Sequence, residues 1–233
     1  VPNIFSSTLD VIALFAFLAV LVGYGYVTSI PALRRRSISG HMQRQREQWM
    51  YNMALRDVRM VDAQLLNGLS QGNAFFASTS AIFIGGLVTL LGSGARVQAL
   101  LEPLPFAAEF SPRLFEVKLL LMIAIFMFSF FKFAWSFRLT HYTAIRIGAT
   151  PIPGEGNAVA CRSHAGRTAC LIGIAAGHAD AGLRGFYYAI AAMAWFLHPV
   201  ALLLATAWVL GILVRRDFFS RSQRLAAGDS MPT

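Results

Sequence analysis

Residues 186–214 read FYYAIAAMAWFLHPVALLLATAWVLGILV, from Phe186 to Val214, and hold no charged side chain. A bilayer-spanning helix needs about 20 mainly apolar residues, so this run belongs to a membrane protein. As one helix it would be roughly 43 Å long, against a hydrocarbon core of about 30 Å. Pro199, following His198 near the centre of the run, removes a backbone hydrogen bond and is a kink candidate. The run is therefore expected either to cross once with a kink or to re-enter as a hairpin.

Working outward, two further apolar runs, Leu9 to Ile30 and Asn73 to Gly92, carry no charge beyond Asp10, and a third, Val117 to Phe137, is broken by Lys132. The expected fold is an all-α polytopic bundle of about four transmembrane helices, forming one integral-membrane domain over 1–233. The spans are 9–30, 73–92, 117–137 and 186–214, with cytoplasmic segments 31–72 and 138–185. Composition agrees: 56% of the 233 residues are hydrophobic and 13% charged, with a mean hydropathy of +0.57. Soluble domains carry about 25% charged residues, which excludes a soluble enzyme, a disordered tail and a free nucleic-acid-binding domain. The first run lacks a basic region before it and a small-x-small cleavage site after it, so it is expected to be a retained span.

The net charge of +9 divides unevenly. Arg34 to Asp62 and Lys132 to Arg184 each carry +4, the connection Ser93 to Pro112 with its flanks is neutral, and the tail carries +2. Lys and Arg are retained on the cytoplasmic side, so both +4 segments should face the cytoplasm, and the inner (plasma) membrane is the expected location. Four crossings would then put the C-terminus outside, in conflict with Arg215, Arg216, Arg221 and Arg224.

Within the first cytoplasmic segment, Arg44 to Gly68 reads as an amphipathic helix, with Met50, Ala54, Val58, Val61 and Leu65 at spacings of three and four. The stretch Gly68 to Gly72 reads as a hinge. Arg59 and Asp62 are one turn apart and are expected to pair. With Arg56 and Arg138 they are the candidates for a cytoplasmic vestibule or for pairing. The Pro151 to Gly156 stretch reads as a loop, and Ala158 to Gly182 as a small-residue helix at the membrane face.

Polar residues in apolar runs are costly, and so become site candidates. Ser78, Thr79 and Ser80 open the second span and suit either close helix packing or a polar lining. Lys132 suits snorkelling to the headgroups or a lining role. Cys161, His164, Cys170 and His178 have zinc-ligand chemistry, but their spacing matches no standard module, and no metal is expected. His141 and His198 are the candidates for a haem- or quinone-associated protein; no cofactor is expected. No nucleophile elbow, phosphate loop, dinucleotide fingerprint or metalloprotease helix occurs, so no enzymatic activity is expected.

Four blocks carry a resemblance: Trp49-Met50 with Arg56, Arg59 and Asp62; Phe75 to Ser80; Phe131 to Arg138; and Arg215 to Ser220. Together they resemble a bacterial and plant family of multi-pass membrane proteins catalogued as a domain of unknown function. The resemblance implies several spans and transfers no catalytic role. The expected function is a non-enzymatic homo-oligomeric pore or small-solute and ion permeation protein, with an accessory or scaffold subunit of a membrane complex as the alternative. Expected partners are the lipid bilayer, anionic lipid headgroups, and further copies or membrane subunits; nucleic acid is not expected.

Overall fold

A computed structural model describes residues 7–93, 112–152 and 157–220. Among these residues the chain forms α1 (Thr8–Ser29), α2 (Pro31–Arg36), α3 (Ile38–Ala54), α4 (Met60–Gly92), α5 (Pro112–Gly148), α6 (Ala158–Met193), a 3-10 turn (Ala194–Phe196) and α7 (Pro199–Phe218), with no strand. Four helices, α1, α4, α5 and α7, are long and apolar enough to cross a membrane.

The helix ends follow local chemistry. Ser7 caps α1 by accepting the Asp10 N–H, and its hydroxyl donates to the Asp10 carboxylate at 3.0 Å. Pro31 and Pro199 stand in the first turns of α2 and α7, where a missing N–H costs nothing. His198 caps α7, its Nδ1 accepting the Val200 N–H at 3.2 Å.

Contacts at the helix ends fix the direction of every rod. Trp195, just past α6, donates to Asp10 at the start of α1 at 2.9 Å. Lys118, near the start of α5, donates to the Trp195 carbonyl at 2.8 Å. At the other end, Tyr24 of α1 donates to Asp217 of α7 at 2.8 Å, and Arg146 of α5 donates to Thr168 of α6 at 3.1 Å. Hence α1 and α7 run parallel, and α6 runs antiparallel to α5. Phe76 and Phe83 of α4 stack on Phe133 and Phe126 of α5, so α4 is antiparallel to α5 as well. Asp10, Arg113, Glu116 and Lys118 mark a neutral end; α2, α3 and Arg215–Arg216 mark a basic end.

The 33, 37 and 36 residues of α4, α5 and α6 make rods of roughly 50–55 Å, longer than an apolar layer of about 30 Å requires. Two cores match that excess. One packs Phe17, Leu119, Phe126, Tyr188, Trp195 and Leu202 among α1, α5, α6 and α7. The second, at the basic end, packs Met50 and Met53 of α3 against Leu66, Leu139, Ala165 and Ile172.

Several expectations are corrected. Residues 186–214 are not one helix: 186–193 finish α6, the 3-10 turn and His198 break the rod, and α7 begins at Pro199. The helix expected over Ala158 to Gly182 is present and longer, running from Ala158 to Met193, and it packs along α5. Helix α5 continues to Gly148, and α6 returns beside it, Ser136 donating to the Ala175 carbonyl at 2.7 Å. Close approach there rests on glycines: a Cβ at Gly182 would lie 2.7 Å from the Phe133 ring, and one at Gly185 would collide with the Ser129 hydroxyl. The helix expected over Arg44 to Gly68 is two, α3 ending at Ala54 and α4 beginning at Met60. The Gly68 to Gly72 stretch is unbroken helix rather than a hinge. Residues 94–111 of the expected neutral connection, 153–156 of the expected loop, and Arg221 and Arg224 of the tail lie outside the described residues.

Candidate functional site

At the basic end, α1, α3, α5, α6 and α7 leave a cavity of about 410 Å³ between them. Arg34 and Arg46 line it from α2 and α3, Lys132 from α5, and Asp180 and Arg184 from α6. Asp217 of α7 closes one side.

Local sequence explains this convergence. On α6, Gly173, Gly177, Asp180 and Arg184 recur at spacings of three and four, so they share one helical face. Nothing lies within 4 Å of where a Cβ on Gly177 would project, which leaves volume in front of that face. The Gln43 side chain of α3 occupies the space a Cβ on Gly173 would fill, and donates to the Ala169 carbonyl at 3.2 Å. Ser39 donates to the Asp180 carboxylate at 2.9 Å, joining α3 to α6 across the cavity. A Cβ on Gly40 would collide with the Arg34 carbonyl; the bare glycine lets α2 fold back on α3 and bring Arg34 to the rim.

The two carboxylates are already engaged. Asp180 accepts from Ser39; Asp217 accepts from Tyr24 at 2.8 Å and from Arg216 at 3.0 Å. The cations are not. Arg56–Asp62 and Arg216–Asp217 are the ion pairs among the described residues, so Arg34, Arg46, Arg184 and Lys132 surround the cavity without an ion-pair partner. Lys132 instead lies over the Phe128 ring at 5.2 Å, a cation–π contact that leaves its charge unneutralised. Burial pushes the Arg46 guanidinium below its ordinary value; Asp180 opposes that shift and Arg34 adds to it. Four cations against two occupied carboxylates make a site of net positive charge, with guanidinium groups whose fork geometry matches carboxylate and phosphate oxygens.

The other candidates fall elsewhere. Ser80 is buried on α4 and donates to the Phe76 carbonyl, Thr79 donates to the Phe75 carbonyl, and Ser78 is exposed. None of the three lines the cavity. The fully buried Asp62 accepts from Trp49 at 2.7 Å and from Arg56 at 3.0 Å on one oxygen. Its partner is therefore Arg56 rather than the expected Arg59. Arg59 donates to the Thr150 and Pro151 carbonyls at 3.1 and 3.2 Å, tying α4 to the end of α5. Arg138 donates to the Tyr142 hydroxyl at 2.9 Å on the outside of α5. His141 packs against Phe137, towards the opposite end of the molecule from His198. Cys161 is buried near the Pro151 carbonyl, Cys170 is exposed, and His164 donates to the Arg146 carbonyl at 2.7 Å.

Lys132 and His178 are the sequence candidates that line the cavity. Arg34, Arg46, Asp180 and Arg184 were missed, because the two segments read as cytoplasmic connections gave no reason to treat their charges as costly, and Asp217 because it stands among the arginines of the tail. The signal available was the three-and-four spacing of Gly173, Gly177, Asp180 and Arg184.

The chain matches, over residues 12–222, the family model described as Protein of unknown function, DUF599. No curated protein and no solved structure matches it.

Proposed function

The chain belongs to the DUF599 family of proteins of unknown function, and with no activity to carry over from it, we propose a permeation protein for a small anionic solute in the inner membrane. One observation carries this reading: Arg34, Arg46, Arg184 and Lys132 converge on a single cavity without ion-pair partners. Arg34 is exposed at the rim, while Arg46, Lys132 and Arg184 are half-buried; an unpaired charge partly withdrawn from water is costly, and an anion supplies the missing partner.

Topology supports the same reading. If α1, α4, α5 and α7 cross the bilayer, α6 crosses with them, because it runs the length of α5. Five crossings return Arg215 and Arg216 to the side of α2 and α3, so the basic segments share the cytoplasm as the positive-inside rule requires. The cavity then draws solute from the cytoplasmic side. Toward the neutral end it is closed by the core around Phe17, Phe126 and Tyr188. Release of solute there requires α1 and α5 to part from the α6–α7 junction, to which the Trp195–Asp10 bond holds α1 and the Lys118–Trp195 bond holds α5.

Flux into proteoliposomes tests this reading, with phosphate, sulfate, chloride, small carboxylates and rubidium as probes. At least one anion should be carried, and Arg46→Ala or Arg184→Ala should lower its flux about tenfold, the cost of one charge-assisted hydrogen bond. Absence of anion flux, or a flux of rubidium alone, contradicts it.

A second reading, as a subunit of a larger membrane complex, draws on α4. Its apolar window is only 11% buried, and Phe75, Ile82 and Val88 point outward. Stoichiometric co-purification of unrelated membrane subunits favours that reading; a single-component particle removes it.

A further inference from the structure

A second cavity, larger and of opposite chemistry, adjoins the first. It is a groove of about 1040 Å³ between α1 and α7, walled by Val20, Gly23 and Val27 on one helix and Leu210, Val214 and Phe218 on the other. Nothing lies within 4 Å of where a Cβ on Gly23 would project, so the groove is open along α1. Tyr24, also in its wall, donates to Asp217 in the wall of the cationic cavity. That bond partitions the two spaces.

At the basic end the groove changes character abruptly. Arg35 and Arg36 of α2 and His41 and Arg44 of α3 form its rim, and no acidic side chain lines it. Arg44 donates to Nδ1 of His41 at 3.1 Å, a contact that brings no carboxylate to the guanidinium. An apolar channel along two membrane helices, ending in arginines where the helices leave the apolar layer, has the polarity profile of a phospholipid: acyl chain within, phosphate at the rim.

We propose that this groove is a binding site for one anionic phospholipid, its acyl chain between α1 and α7 and its phosphate held by Arg35 and Arg44. Charge complementarity selects the anionic headgroup. A zwitterionic lipid brings a cation to the same rim and gains little from it, whereas each basic residue near the surface favours an anionic lipid by about 1 kcal/mol. The site differs from the cationic cavity in its residues and its walls, and stands whether or not that cavity carries solute.

Native mass spectrometry of the full chain in neutral detergent tests this, with phosphatidylglycerol and phosphatidylcholine as probes of matched acyl chains. Phosphatidylglycerol should be retained preferentially, and Arg35→Gln and Arg44→Gln should each lower retention roughly fivefold. Gly23→Leu, which fills the groove without removing a charge and suits a helix better than glycine, should lower it as well, while Arg184→Ala should leave it unchanged. Equal retention of the two lipids overturns the proposal. So does retention indifferent to Gly23→Leu, which would mean attraction to a basic surface alone, or retention lost with Arg184→Ala, which would put the lipid in the other cavity.

Discussion

Asp62 is fully buried, and one of its oxygens holds both the Trp49 indole N–H and Arg56, whose side chain is 47% exposed. The carboxylate sits where the chain leaves α3 and enters α4, so it orders the connection from Leu55 to Arg59. Asp62→Ala leaves the half-buried Trp49 indole donor without an acceptor, and thermal unfolding should register about 1–3 kcal/mol of lost stability. Asp10 is its counterpart at the neutral end, 3% exposed and bonded to Trp195; Asp10→Ala should cost a similar amount by the same measurement. The sequence revealed only half of this. Asp62 next to arginines announced an ion pair, but the partner one helical turn away was the wrong one, because the helix starts at Met60 and leaves Arg59 outside it, turned toward Thr150 and Pro151. Trp49 was singled out only as part of the resemblance block with Arg56 and Asp62, with no bond to the carboxylate expected, and Trp195 gave no signal, since an indole in an apolar stretch is equally at home in any core.

Helix α6 is the element on which the reading turns. Its Arg162, Arg167, Asp180 and Arg184 break the apolar run that identifies a crossing, whereas α1, α4, α5 and α7 are legible from composition alone. What places α6 inside the bundle is the glycine and alanine content of its α5-facing side. Gly182 lies against Phe133 and Gly185 against Ser129, so the backbones approach closely and van der Waals contact does what apolarity does for the other rods. Gly182→Leu should therefore destabilise the bundle by about 1–3 kcal/mol, the range for overpacking a filled interior. Gly177→Ala, on the cavity side where nothing lies within 4 Å, should leave thermal stability unchanged or slightly raised, glycine being the poorer helix former. A fall in stability at Gly177 equal to that at Gly182 would show that the two faces of α6 are not distinct. The break before α7 was legible at His198 and Pro199, but the 3-10 turn over Ala194–Phe196 was not; it follows from seating Trp195 on Asp10 and Lys118.

At the scale of the molecule, the four helices long and apolar enough to cross a membrane would, by themselves, set the arginines after Val214 on the wrong side. The proposed fifth crossing, by α6, would put α2, α3 and Arg215–Arg216 on the same side and carry the polar face of α6 to the level of Lys132, where the cationic cavity forms. The direction of each rod rests on bonds at both ends: Trp195 to Asp10 at one, Tyr24 to Asp217 at the other. The cavity and the neighbouring groove both depend on this arrangement, since each takes walls from the basic-end segments and from α7.

Labelling of single cysteines from the two sides of sealed, oriented vesicles tests that arrangement most directly. In a chain with Cys161 and Cys170 replaced by alanine, Gln45→Cys on α3, Phe219→Cys after α7 and Arg113→Cys at the neutral end each receive a membrane-impermeant maleimide. The account predicts that Gln45→Cys and Phe219→Cys label from the same side and Arg113→Cys from the other. Labelling of Phe219→Cys together with Arg113→Cys, opposite to Gln45→Cys, would mean four crossings and would contradict it.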